Sequence, residues 1–203
     1  MSLTISAAQV DALIANPNSI SGYSASGPII ITGSITKAQA NSLNAVDATY
    51  IQATVSSDTV SNLSGIAVNN STRTSLNKFS FVVSDSSATA AELNAVQALT
   101  SVAVDASNVT AIEASDAAAI TTLYTSSVSG LGNETISVND STVVAATLNT
   151  IDGYSTGAIT TTATTISGAA SDINTALASA ITHAADIAVT VTDTTVAASD
   201  INA

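Results

Sequence analysis

The sequence predicts an α/β repeat solenoid, in which rungs of about 27 residues, each with a short strand and a short helix, stack a parallel β-sheet on one side and helices on the other. Three observations predict it. The block Val83–Ser87 (VSDSS) recurs as Val138–Thr142 (VNDST) and Val191–Thr195 (VTDTT), with Asp85, Asp140 and Asp193 spaced 55 and 53 residues apart. The apolar anchors Leu93, Ile120, Leu148, Ile173 and Ile201 then divide that long repeat, stepping by 27, 28, 25 and 28 residues. Finally, 38 Ala, 31 Ser and 30 Thr make up nearly half of 203 residues, while Leu, Ile, Val and Phe number only 50. With no Trp, 4 Tyr and 2 Phe, such a chain builds a thin core of small side chains, which suits a stack better than a thick globule.

The elements follow from local pattern. Near the N-terminus, Ser6–Leu13 and Thr36–Asn44 read as capped helices, and Tyr50–Val55 and Phe79–Val83 as strands. Pro17 and Pro28 both fall here, the run Ile29–Ile31 follows the second, and the spacing between roughly 57 and 80 fits the period poorly. Residues 1–83 are therefore expected to form irregular rungs that serve as a cap. From 84 onward the array is regular, with repeats 84–138 and 139–191 and a partial one at 192–203, all in one continuous solenoid. In Thr89–Leu99, the residues Leu93, Val96 and Leu99 share one helical face. The β-branched stretches Ser101–Asp105, Asn108–Ile112 and Gly157–Ser167 favour extended chain. Helices of two or three turns are marginal alone, so these rungs are stable only when stacked.

Charge excludes whole classes of partner. Fifteen acids face only Lys37, Arg73 and Lys78, and the net charge of −12 repels nucleic acid and anionic membrane surfaces. No run is long and apolar enough to insert into a membrane, and Met1–Ser6 carries no signal-peptide pattern, so export would use another signal. The absence of cysteine removes disulfides and thiolate metal sites.

Chemistry-bearing residues are few. His183 is the single histidine, with Asp186 three residues on, but no Gly-x-Ser-x-Gly turn accompanies it, so no catalytic residue is assigned and the chain is not expected to be an enzyme. Asp85, Asp140 and Asp193 sit at strand-to-helix junctions, where they serve either as helix caps or as weak calcium ligands; calcium is the one cofactor left open, because it needs only oxygen donors. Asn44, Asn94, Asn149, Asn174 and Asn202 recur after the apolar anchors and suit a hydrogen-bonded structural ladder. Thr160 and Thr162, and likewise Thr190 and Thr192, place hydroxyls on one strand face, the arrangement a carbohydrate- or ice-binding array would use.

The stretches Thr142–Gly153, Thr156–Thr160, Thr164–Asn174 and Gly130–Asp140 resemble the Ala/Ser/Thr-rich repeats of large acidic surface proteins of marine cyanobacteria and similar bacteria. The resemblance covers 84–203 well and the first third loosely. It implies a structural role at a cell surface, in a surface layer, adhesin stalk, filament or virion appendage, with copies of itself or neighbouring repeats as partners. It implies no activity. The calcium-binding nonapeptides that some such proteins carry do not occur in this sequence, so the resemblance carries calcium to no residue.

Overall fold

The computed structural model describes residues 1–67, 73, 75–197 and 200, and it is an α/β structure with parallel sheets throughout. In chain order the elements are β1 Leu3–Ser6, α1 Val10–Ala15, β2 Ile29–Ile35, α2 Lys37–Leu43, β3 Ile51–Val55, α3 Val60–Ser64, β4 Lys78–Ser80, β5 Ser87–Thr89 and α4 Ala90–Gln97. There follow β6 Ala111–Ser115, α5 Ala117–Thr125, β7 Thr135–Val138, β8 Thr142–Val144, α6 Ala145–Asp152, β9 Ile159–Thr161, β10 Thr165–Gly168, α7 Ala170–Ala178 and β11 Ala188–Val191. The chain forms two compact units, one of Met1–Asp85, Glu92–Asn108 and Ser127–Gly130, the other of Ser86–Ala91, Val109–Ser126 and Leu131–Ala203.

The first unit holds a parallel sheet in the order β1-β2-β3-β4. Leu3 pairs with Ile29, Ile29 with Ile51, and Gln52 with Lys78, so successive strands lie 26, 22 and 26 residues apart. Strand β3 alternates buried Ile51, Ala53 and Val55 with exposed Gln52 and Thr54, the period-two pattern of a sheet with one wet face. Both phenylalanines lie here, Phe79 and Phe81, fully buried and edge to face at 6.1 Å. Helix α3, capped by the Thr59 hydroxyl on the Asn62 N–H, falls in the stretch where the sequence shows no regular period.

The second unit holds two parallel sheets, β5-β6-β7-β9 and β8-β10-β11. This corrects the expectation of one sheet on one side. The extended stretch 157–167 is broken where the Ala163 N–H turns to donate to the Thr161 hydroxyl, and its two halves, β9 and β10, join different sheets. The period is corrected as well. Ser87 pairs with Ala111, Ala111 with Thr135, and Ile136 with Ile159, giving strand steps of 24, 24 and 23, where the helices at Ala90, Ala117, Ala145 and Ala170 step by 27, 28 and 25. The connections absorb the difference: the segment from helix to next strand shortens from 98–110 to 126–134 to 153–158.

Each helix buries one narrow stripe: Ala117, Ile120 and Leu123 in α5, Ala145, Leu148 and Ile151 in α6, and Ala170, Ile173 and Ala176 in α7. Eight or nine residues with one such stripe are held by packing more than by helix propensity. The abundant hydroxyls are also spent on packing. Thr32, Thr49 and Ser129 donate to the carbonyls of Ile5, Ser26 and Val104 in the first unit, and Thr110, Thr156 and Thr164 to those of Ser86, Gly132 and Ser141 in the second, all at 3.0–3.3 Å. A short hydroxyl reaches the adjacent pass of backbone where the ladder is interrupted.

Leu148→Ala is expected to lower the unfolding free energy by about 2–5 kcal/mol in urea titration, through lost burial and the cavity left behind. Val144→Ala, at a side chain 49% exposed, is expected to change it by no more than about 0.5 kcal/mol.

Candidate functional site

The first N–H groups of a helix have no partner within the helix. Here they are met by side chains from the following pass of the chain. The Val60 N–H at the start of α3 donates to Asp85 Oδ2 at 2.6 Å, the Ala117 N–H of α5 to Asp140 Oδ2 at 2.7 Å, and the Ala170 N–H of α7 to Asp193 Oδ2 at 2.7 Å. Ser115 does the same for α4, its Oγ accepting from the Ala90 N–H at 2.9 Å. The recurring aspartates therefore cap helices that begin 23 to 25 residues before them, not the helices they precede. A carboxylate in that position also meets the positive end of the helix dipole.

Local caps supplement these. Asp116 Oδ1 accepts from Ala119 N–H on α5, and Thr36 with Gln39 forms a reciprocal box on α2. Helix α6 has neither kind: Val144 offers no side-chain cap, and the position facing Ala145 is Gly168. A Cβ there would stand 3.4 Å from Ala145 Cβ, and the φ of +152° is one that L side chains rarely adopt. In the second unit the series of cap positions thus reads Ser115, Asp140, Gly168, Asp193, so a residue without a carboxylate separates the two aspartates. Among the described residues no three His, Cys, Asp or Glu side chains gather around one point.

The asparagines reach the same way. Asn44, Asn149 and Asn174 donate Nδ2 to the carbonyls of Ala67, Asp172 and Asp200 at 2.8, 3.0 and 2.7 Å. Asn94 lies half-buried after Leu93, as Asn149 lies after Leu148, and Asn202 falls outside the described residues. Asn44 also belongs to a buried node that the sequence does not announce. Arg73, one of three cations in the chain, donates from Nη1 to the Oδ1 atoms of Asn44 and Asn77, and from Nη2 to the carbonyls of Leu43 and Val46. It thereby satisfies carbonyls at the C-terminus of α2. Burial lowers its pKa from the ordinary guanidinium value, and the nearby Asp47 opposes that shift.

The remaining predicted residues stay apart. His183 Nδ1 lies 2.9 Å from the Ala184 carbonyl, and Asp186 is exposed. Thr160, Thr162, Thr190 and Thr192 are exposed; Thr160 is in register with Ser137 and bridges to Thr182, a row of hydroxyl residues across three strand segments. At the end of the sheet β8-β10-β11 a concavity of about 420 Å³ is lined by Ile173, Leu177, Val189, Val191 and Val196.

A second node was also missed from sequence. Glu134, fully buried, accepts from the Tyr124 hydroxyl at 2.6 Å, from the Gly132 N–H at 2.8 and 2.9 Å, and from the Asn133 N–H at 3.3 Å. Its own carbonyl takes the Ser155 hydroxyl at 2.6 Å, and Gly157 passes so close that a Cβ would fall 2.2 Å from that oxygen. The Tyr124 ring stacks on Tyr154 with centroids 4.9 Å apart and planes 4° from parallel. Burial, then the hydrogen bond and charge of Glu134, push the Tyr124 phenol far above its ordinary pKa. A single Glu beside Asn-Glu-Thr carries no signal of this in sequence.

Fold and site together define a parallel-sheet α/β chain in which Asp, Asn, Ser and Thr side chains cap and cross-bond its own backbone at several places. No family model, curated protein or solved structure matches it.

Asp140→Ala is expected to cost about 1 kcal/mol of stability, the usual effect of losing a helix cap, with Asp140→Asn retaining part of it; thermal melts of the three proteins check this. The Asn62 amide, then the Thr59 N–H, hold the Asp58 carboxyl below its ordinary pKa, and the Ser107 N–H does so for Asp105. Both contribute stability that is present above the ordinary carboxylate pKa and lost as pH falls through the depressed value. Asp58→Asn is expected to flatten the decline in melting temperature on acidification.

Proposed function

We propose that this chain is a structural repeat module of the extracellular or cell-surface kind, a rigid spacer or self-assembling unit built as a solenoid. The observation that supports this most is where the polar side chains go. Aspartate, asparagine, serine and threonine are directed to backbone groups of the pass before or after, at sequence separations of 23 to 27 residues. Such a chain turns its polar groups into bonds between passes, which is what a load-bearing rod requires. The acidic remainder keeps the surface soluble in salt-rich water.

Among the described residues, β11 offers a place for association. Val189 and Val191 on β11 are 46% and 44% exposed, whereas Ile166, the register partner of Val189 on β10, is fully buried. An unpaired strand edge with exposed valines is a template for another chain. The copies are the partners in this reading, and neither nucleic acid nor membrane takes part.

The test is electron microscopy and sedimentation of the purified chain at high concentration, with millimolar calcium and separately with chelator. Rods or filaments of constant width support the proposal, and their loss in chelator shows that assembly needs a divalent cation, for which Asp85, Asp140 and Asp193 are the candidate ligands. Compact spherical particles in both conditions overturn it. The row Ser137, Thr160 and Thr182 supports a second reading, a carbohydrate- or ice-binding face. Thr160→Tyr separates the two, abolishing ligand binding in the second and leaving assembly unchanged in the first.

A further inference from the structure

We propose that Tyr124 and Tyr154 are a site of oxidative cross-linking, at which a peroxide-derived one-electron oxidant joins the two rings by a carbon–carbon bond and so clamps α5 to the segment that follows α6. Three features of the structure combine at this pair. The rings lie near parallel, with centroids 4.9 Å apart, so the two rings are already in contact when they are oxidised. The Tyr124 hydroxyl donates to Glu134 Oε2 at 2.6 Å, so the proton that oxidation releases has an acceptor in place. And the chain offers few competing targets: no Cys, no Trp, and one Met.

The other two tyrosines lack this arrangement. Lys78 Nζ stands 4.5 Å over the Tyr50 ring, and a cation there opposes loss of an electron from that ring. The Tyr23 hydroxyl donates to a neutral backbone carbonyl, that of Asp47, at 3.0 Å. Among the described residues the one tyrosine stacked on another is the pair at 124 and 154.

The chemistry balances as follows. Oxidation of Tyr124 gives one electron to the oxidant and its phenolic proton to Glu134; Tyr154 gives its electron to the oxidant and its proton to solvent. The two phenoxyl radicals couple at carbons ortho to oxygen, and each coupled carbon loses its hydrogen as both phenols are restored. Two C–H bonds are broken, one C–C bond is formed, and two electrons and two protons leave, which reduce one peroxide O–O bond. The product is a staple in a chain that has no disulfide.

The intact protein, dilute and monomeric, is treated with photogenerated tris-bipyridyl ruthenium(III) with persulfate as terminal acceptor. Products are read by dityrosine fluorescence and intact mass, and mapped with an Asp/Glu-specific protease, because no lysine or arginine follows Lys78 and trypsin would leave both tyrosines on one peptide. The expected result is a monomer lighter by two hydrogen atoms, linked between 124 and 154, with a raised melting temperature. Tyr154→Phe is expected to abolish it while keeping the stack and the Glu134 bonds, so its loss is not attributable to misfolding. A Tyr23→Phe, Tyr50→Phe double variant is expected to keep it. Glu134→Gln is expected to slow it roughly a hundredfold, the low end of what a positioned proton acceptor contributes. Links that fall on Tyr23 or Tyr50, links between molecules only, oxygen insertion without coupling, or no product would each overturn the proposal.

Discussion

Everything in this chain depends on how a helix of two turns can end its hydrogen bonding inside a stack of parallel strands. The strand that precedes each helix is spent in its sheet, and the first N–H groups of the helix point toward the neighbouring pass. Asp85, Ser115, Asp140 and Asp193 answer that need from the next pass. Each helix N-terminus so treated is incomplete until more chain has been laid down. Stability is then shared between a helix and the stretch of chain that follows it by 23 to 25 residues.

The same logic explains the composition. Serine and threonine would be poor core residues, and part of their number is put to use where their hydroxyls donate to carbonyls about one pass away, as Thr110 does to Ser86 and Thr164 to Ser141. Alanine opens the buried stripe of α5, α6 and α7, at Ala117, Ala145 and Ala170, ahead of the larger Ile120, Leu148 and Ile173. Two nodes depart from this economy. Arg73 at the end of α2 and Glu134 beneath Tyr124 are buried charged groups, and each is met by several hydrogen bonds, although the buried Nε of Arg73 has no partner among the described residues.

Much of the fold could be read before any coordinates. The helices around Leu93, Ile120, Leu148 and Ile173 are written in apolar spacing, but the strands only in part: Ser101–Asp105, β-branched though it is, pairs only through bridges at Asp105, and the strand that follows is Ala111–Ser115. The aspartates were legible as caps, but the helix that each one caps was not, since a partner 23 residues back leaves no local mark. The rung length was read from helices, whose anchors stand out, and so came out longer than the strand register. The division into three sheets turns on breaks such as Thr161–Ala163, where the same β-branched residues continue through the turn and give no warning. Arg73 and Glu134 escaped because burial of a lone charge is decided by tertiary context alone.

The disagreement between the two spacings is itself a structural property. Strands advance by 24, 24 and 23 residues while helices advance by 27, 28 and 25, so each helix slides later along its pass, as the two scales of a vernier drift apart. The slack is drawn from the connection after the helix, which shrinks from 98–110 to 153–158 and then to 179–181 before the Thr182 bridge. A connection cannot shrink below nothing. A run with this mismatch is self-limiting, and a longer array of the same kind has to reset its phase every few passes with an inserted loop or a skipped helix.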